Sequence, residues 1–292
     1  DRIFDDLKQK AQWAEAHGFT IFTVMDHLVQ IPGVGEADEP FMESWTTLGA
    51  LAASTQSIRL APMVTSVSYR NPALLAKMAT TVDIISHGRL TLSMGGGWWE
   101  RDYQQYGYDF PPAPVRLRQL EEAVQIVRQM WTQPRTTFHG HYFHVDDVIL
   151  EPKPVQKPHP PLLIGGGGEQ VTLRLVARYA DACNVSGDVA VVAHKLEVLR
   201  RHCEREGRDY DTIERTSLAH WLLARDESAL KTKVERLGAV DPSRVTNLTV
   251  QQAIDLAGQY ADLGVQTLIV YLYANDPESL ELLASEVLPK FA

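Results

Sequence analysis

Cysteine is nearly absent from this chain: there are two in 292 residues, Cys183 and Cys203. Two thiols so placed give neither zinc-site spacing nor the density of a disulfide scaffold, so a reduced, cytoplasmic setting is expected. No apolar run reaches the roughly 18 residues that a membrane-spanning helix requires. A charged-then-apolar leader is missing as well, and nothing argues for export. Positive charge is in deficit, with a net charge of −9. That balance argues against a general nucleic-acid surface, although a local basic pocket could still hold an anion. The remainder is ordinary, 45% hydrophobic and 22% charged, as in a globular protein with a sizeable core.

Two glycine runs stand out. The apolar stretch 89–94 ends in Gly95, Gly96 and Gly97, followed by Trp98, Trp99 and Glu100. The stretch 161–164 ends likewise in Gly165 to Gly168, then Glu169. Glycine belongs where a backbone takes positive φ or where a ligand approaches it closely. Two strands opening into glycine at their C-terminal ends point to one site fed by several strand ends, as in a (β/α)8 barrel.

Read in order, residues 2–17 have the spacing of a helix stopped by Gly18, and 20–25 form a buried strand ending at Asp26 and His27. A helix over 44–55 leads to a strand over 58–65. Pro72 suits the first position of a helix over 72–85, and Arg89 opens the first glycine-ended strand. Residues 100–160 break the rhythm. A loop from Tyr103 to Pro114, a helix from about Val115 to Trp131 and a hairpin over 136–145 turning at Gly140 are expected there. Alternation then resumes: helix 169–179, strand 181–186, helix 190–206, strand 214–224, a helix to Gly238, helix 249–264, strand 267–273 and a helix from Pro277. The whole chain, 1–292, is taken as one domain.

Strands and helices alternating at this spacing mean βαβ units and a parallel sheet. Seven such strands are one short of a closed eight, so a first strand upstream of residue 1 is expected. An open doubly wound sheet is the competing architecture.

Gly165 to Gly168 carry the first chemical signal. A strand-to-helix junction with free backbone N–H groups can cradle a phosphate, whereas a tight turn alone needs fewer glycines. Neither a Walker loop nor a spaced dinucleotide fingerprint is present. Asp26 and His27 close a strand on the face where barrels place catalysis. A histidine there can move a proton near neutral pH; a structural histidine beside a helix-capping aspartate fits the sequence as well. Met63, Val64 and Thr65 end another strand and suit the face of a flat ring, although core packing also explains Met63 and Val64. Trp98 and Trp99 could wall a substrate pocket or plug the barrel mouth. His139, His141 and His144 lack partner carboxylates at metal-binding spacing, so no metal is expected.

With these residues assembled, the chain resembles the luciferase-like monooxygenase superfamily, and more narrowly its branch that uses the deazaflavin coenzyme F420. Segments 24–27, 30–35, 69–78, 88–98, 152–168 and 178–184 carry the resemblance in order. It implies a (β/α)8 TIM barrel with an insertion after strand 4, counting the expected upstream strand. By position, it places the ring against Met63, Val64 and Thr65, where the family often has a non-prolyl cis peptide. It brings Gly96 and Gly97 near the ring or its side chain, and assigns the phosphate to Gly166, Gly167 and Gly168. Asp26 and His27 match the deazaflavin motif near the ring. In one departure, Trp98 stands where the branch's sugar-phosphate dehydrogenases have a glutamate, which points to a more apolar substrate. The expected function is hydride transfer between F420 and a small organic molecule. An FMN-dependent monooxygenase and a non-catalytic flavin-binding barrel are the alternatives. A homodimer packed through helices such as 72–85 is expected, with no membrane or nucleic-acid partner.

Overall fold

The alternation of helix and strand is realised in the computed structural model of the protein, which describes residues 2–31, 34–36, 38–237 and 244–291. Helix α1 (Ile3–Ala16) precedes β1 (Ile21–Val24), and α2 (Ser44–Ser54) leads into β2 (Arg59–Pro62) and β3 (Thr65–Ser66). Helix α3 (Pro72–Ile85) leads into β4 (Leu92–Gly95). The insertion follows, with α4 (Glu100–Tyr106), α5 (Ala113–Thr132), β5 (Thr136–His139) and β6 (His144–Val148). Then come β7 (Leu162–Gly165), α6 (Thr172–Tyr179), β8 (Ala182–Ser186), α7 (Val189–Glu206) and β9 (Glu214–Ala224). The chain closes with α8 (Glu227–Leu237), β10 (Thr246–Thr249), α9 (Val250–Asp262), β11 (Thr267–Leu272) and α10 (Pro277–Leu282).

Every pairing outside the β5–β6 hairpin is parallel. Strand β1 pairs with β2, a single bridge from Leu60 to Leu90 joins β2 to the segment just before β4, and the order continues β4–β7–β8–β9–β11. Among the described residues no pairing joins β11 back to β1. One face of the strands is apolar: Leu92, Met94, Leu162, Ile164, Cys183 and Val185 form a core with helix residues such as Leu120, Leu173, Val176 and Leu199. Strand residues alternate between faces. The other face carries Ser93, Asn184 and Thr216, and the Asn184 amide donates to the Thr216 hydroxyl at 2.8 Å.

Local signals set the element ends. The Asn71 side chain accepts from the Ala73 N–H at 2.9 Å, with Pro72 opening α3. Thr249 and Gln252 form a reciprocal capping box on α9. In the insertion, the antiparallel hairpin turns at Gly140 as the sequence predicts. It is pinned to α5 by Glu122, which accepts the N–H groups of His141, Tyr142 and Phe143 at 2.7, 2.9 and 3.0 Å.

Four expectations need correction. The Tyr103–Pro114 loop begins as helix, because Glu100 and Asp102 occupy the favourable first turn of α4 and Gly107, at φ 73°, supplies the left-handed end. The expected strand over 58–65 is divided between β2 and β3 at Met63–Val64, whose peptide is cis. Helix α6 starts at Thr172 rather than 169, since Gly166 has φ +123° and the glycine run forms its own turn. Strand β10 was not foreseen; four residues leave little periodicity to read. Gly238, and Pro32 and Gly33 of the 30–35 segment, lie outside the described residues.

Glu15 ties α1 to the segment entering β2, accepting from the N–H groups of Gln56 (2.8 Å), Ser57 and Ile58 (2.9 Å). Burial opposes its ionisation, but these donors outweigh it and its carboxyl is lowered to about 2. A depressed folded-state pKa stabilises the fold above the unfolded value and loses that stabilisation as pH falls through the folded value. Urea unfolding should therefore find Glu15→Gln less stable than the parent near neutrality, with the gap closing between about pH 4.5 and about 2.

Candidate functional site

Asp26 and His27 are neighbours in sequence, yet β1 delivers them to different partners. Asp26 is 3% exposed. Its carboxylate binds Arg70 through both guanidinium nitrogens, at 2.7 and 3.0 Å, and accepts from Ser44 at 2.6 Å. Arg70 also reaches Glu43 at 2.5 Å, and Glu43 caps α2 through the Trp45 and Thr46 N–H groups. Burial disfavours the charged arginine, but the two carboxylates outweigh that and raise its pKa. Asp26 is thus a fully engaged anchor between β1, α2 and the segment after β3.

His27 turns instead to Asp102, a residue the sequence analysis did not single out. The His27 Nδ1 lies 2.6 Å from an Asp102 carboxylate oxygen. Asp102 is completely buried, and it also accepts from the Tyr69 hydroxyl at 2.9 Å and the Leu28 N–H at 3.4 Å. Burial works against its ionisation, yet the hydrogen bonds from His27 and Tyr69 hold its carboxyl below the usual aspartate range. Burial and the same carboxylate push the Tyr69 phenol up, which keeps it a donor. With Nδ1 facing a carboxylate, the imidazole carries its proton there in the neutral form, leaving Nε2 as the acceptor. No protein partner for Nε2 occurs among the described residues.

Trp98 covers this pair. Its ring meets that of His27 edge-on, with centroids 5.6 Å apart, while 61% of the residue is exposed. Trp99 packs at a tilt against Trp98, and its buried Nε1–H has no protein acceptor. Tyr69, Tyr103 and Phe110 form a second aromatic cluster, with Tyr103 in ring contact with the other two.

The glycines divide into three uses. A Cβ on Gly95 or Gly165 would meet the Val64 side chain at 2.7 or 2.8 Å, so these two admit Val64 between β4 and β7. A Cβ on Gly97, whose φ is +74°, would lie 1.9 Å from the Tyr103 hydroxyl and 2.7 Å from that of Ser66; one on Gly96 would meet Leu117 at 3.3 Å. Both carbonyls accept from Arg116. The bare faces of Gly96 and Gly97 therefore meet protein. In the second run the Gly166 N–H binds the Asn184 carbonyl, while those of Gly167 and Gly168, like those of Gly96 and Gly97, have no protein acceptor among the described residues, and a Cβ on Gly168 would meet the Thr172 hydroxyl at 2.7 Å. Lys195 stands beside Gly167, 3.5 Å from where its Cβ would be. Met63 and Val64 are half-buried, whereas Thr65 is fully buried and its hydroxyl accepts from the Trp45 indole at 3.0 Å.

His27, Val64, Trp98 and the Gly165–Gly168 run thus converge from the C-terminal ends of β1, β2, β4 and β7. No cluster of three or more His, Cys, Asp or Glu able to hold a metal occurs among the described residues.

A mostly parallel sheet flanked by helices, with polar groups gathered at its C-terminal strand ends, defines the enzyme-type α/β barrel class. The chain belongs to the luciferase-like monooxygenase family, whose profile matches residues 2–285. It is 32% identical over 212 residues to an uncharacterised protein of Mycobacterium tuberculosis, covering 68% of this chain and 74% of that one. An FMNH2-dependent dimethylsulfone monooxygenase of Pseudomonas putida is 26% identical over 275 residues, covering 88% of this chain and 74% of the relative. The fold is shared with an F420-dependent secondary alcohol dehydrogenase solved with an F420–acetone adduct (TM-score 0.85, 20% identity, 99% of this chain and 95% of that one).

Gly97→Ala tests how tightly the glycine run is tied to α4. The methyl group must displace Tyr103 or Ser66 at a positive φ, so a loss of about 2–4 kcal/mol in unfolding free energy is expected. A variant as stable as the parent would show that the turn accommodates a side chain.

Proposed function

We propose that this protein is an F420-dependent oxidoreductase that moves a hydride to or from a small, predominantly apolar organic substrate. The observation that carries the proposal is His27, held at Nδ1 by a buried aspartate and left with an unpartnered Nε2 beside an exposed tryptophan. The strand ends suit a flat ring bearing a phosphate. Met63 and Val64 form a partly exposed apolar ledge, and Gly167 and Gly168 offer free N–H donors next to Lys195. When bound, the deazaflavin supplies a two-electron hydride donor or acceptor. The chain's own part is to exclude water, align the reacting carbons and handle a proton. His27 Nε2 takes the substrate's hydroxyl proton as an alcohol is oxidised, or returns one as a carbonyl is reduced. Asp102 fixes the ring orientation. Asp26 acts indirectly, by anchoring the strand end through Arg70. Trp98 walls the substrate side and favours apolar groups over phosphorylated sugars.

An FMNH2-dependent monooxygenase is the second reading, and the Pseudomonas putida relative favours it. A purely storage or sensing role has no use for the His27–Asp102 pair. Parallel fluorescence titrations separate the first two. F420 is expected to bind at least about tenfold more tightly than FMN, and the reverse preference would replace the proposal with the monooxygenase reading.

Stopped-flow hydride transfer at saturating F420 tests the dyad. His27→Gln should slow the reaction by about 10² or more, and Asp102→Asn by a comparable factor, with F420 affinity changed only a few-fold. Variants that keep parental rates would remove His27 from the proton path.

A further inference from the structure

A second polar pair stands level with the Met63 ledge. Glu214 of β9 accepts from both terminal nitrogens of Arg59 on β2, at 3.0 and 3.1 Å, and from the Thr267 hydroxyl on β11, at 2.6 Å. Strands β2 and β9 share no ladder, so this cluster crosses the interior that the strands surround. Side chains alternate along a strand. The same inner face therefore carries Met63, four residues beyond Arg59, and Tyr271, four residues beyond Thr267. The Met63 N–H donates to the Val24 carbonyl at 2.8 Å, which keeps Met63 in the β1–β2 ladder. Four strand residues rise about 13 Å, so Met63 and Tyr271 lie equally far from one shared anchor, toward the C-terminal strand ends.

His220 faces Tyr271 directly across the β9–β11 ladder, and the two rings meet edge-on with centroids 5.2 Å apart. The Tyr271 hydroxyl is buried and has no protein partner among the described residues. Orphaned buried donors are few in folded proteins. Burial raises the phenol pKa, with Tyr273 adding to it, so the hydroxyl keeps its proton. His220 is open to solvent. Desolvation of its ring nonetheless lowers its pKa, against an opposing hydrogen bond with the Arg244 backbone. Near pH 7 the pair is uncharged, and a neutral imidazole both donates and accepts. Met63, Gly95 and Gly165, on the inner face at the same strand ends, offer no side-chain hydrogen bond at all.

We infer that His220, with the Tyr271 hydroxyl behind it, is a second hydrogen-bonding station of the substrate pocket and selects small ketones or alcohols that carry a further, uncharged oxygen. A carboxylate or phosphate would find no compensating charge in this pair and would lose its hydration. An oxygen-bearing substituent gains a partner there that a purely hydrocarbon one does not. The inference deepens the proposed function, and rests on it for the carbonyl or hydroxyl that reacts beside His27.

The test reads binding rather than turnover. The F420-loaded parent is titrated with cyclohexanone and with 3- and 4-hydroxycyclohexanone, following the His220 ring signal by NMR, assigned by its loss in His220→Phe. At least one hydroxyketone should bind about three- to tenfold more tightly than cyclohexanone and shift that signal. His220→Phe, followed by the change in Trp fluorescence, should lose the advantage. His220→Gln, which keeps a donor and an acceptor, should retain part of it, and Tyr271→Phe should reduce it while unfolding at the parental urea midpoint. Equal affinity for all three ketones, no ketone binding, or an advantage that survives in both phenylalanine variants would overturn the station while leaving F420 binding intact. If F420 itself does not bind, the proposed function fails and the same titrations on the cofactor-free chain decide the station. A hydroxyketone advantage that His220→Phe abolishes supports it, and its absence overturns it.

Discussion

The buried carboxylate of Asp102 is the constraint on which the mouth of this barrel depends. A carboxylate removed from water is costly unless donors surround it. Here the donors come from separate places: His27 and Leu28 after β1, and Tyr69 after β3. Asp102 itself sits on α4, in the insertion. Satisfying one charge therefore fixes the relative positions of two strand ends and an inserted helix. Tyr103, the next residue, extends the clamp by binding Ser66 below Gly97. Arg116 then draws α5 to the same place, donating to the Gly96 carbonyl at 2.9 Å while its guanidinium lies 3.9 Å from the Phe110 ring centroid. Disturbing Asp102 would loosen the wall of the site as well as the orientation of His27.

The two glycine runs looked alike in sequence and serve different ends in space. Gly95 and Gly165 make room for Val64, so the strand ends close around an apolar side chain. Gly97 makes room for a tyrosine hydroxyl. Gly167 and Gly168 leave backbone donors without protein acceptors among the described residues, as an anion site requires, with Lys195 beside them. Glycine in a sequence marks close approach, but it does not say whether a ligand or the protein itself comes close.

The parallel sheet, the helix positions and the hairpin were legible because each rests on local periodicity and local punctuation: Pro72 at a helix start, Gly140 at a turn, apolar runs at the strands. The placement of His27 at a strand end was legible for the same reason. Its partner was not. Asp102 lies 75 positions away, just ahead of the tyrosine- and proline-rich stretch, and an acidic residue in the first turn of a short helix reads as ordinary dipole complementation. Asp26, adjacent to the histidine, was the natural candidate for a functional pair. Its commitment to Arg70 and Ser44 depends on two contacts across the fold that spacing does not encode.

These dependencies also locate where chemistry can vary on this fold. The apolar ledge at Met63 and Val64 and the free donors at Gly167 and Gly168 come from barrel strands and their first turns, and they would serve any ring with a phosphate. On the proposed function, the groups that would distinguish proton-coupled hydride transfer from reaction with oxygen are of another origin. His27 alone is an imidazole at a strand end; Asp102 orients it, and Trp98 sets an exposed indole edge-on beside it. Both partners lie beyond the C-terminal end of β4, Trp98 in the turn and Asp102 in the first inserted helix. A fold does not fix a reaction, and the two groups that surround His27 here, Trp98 and Asp102, lie in one short segment, 97–103. Because that segment is locked by a buried charge, it changes the chemistry at the strand ends without requiring the barrel beneath it to change.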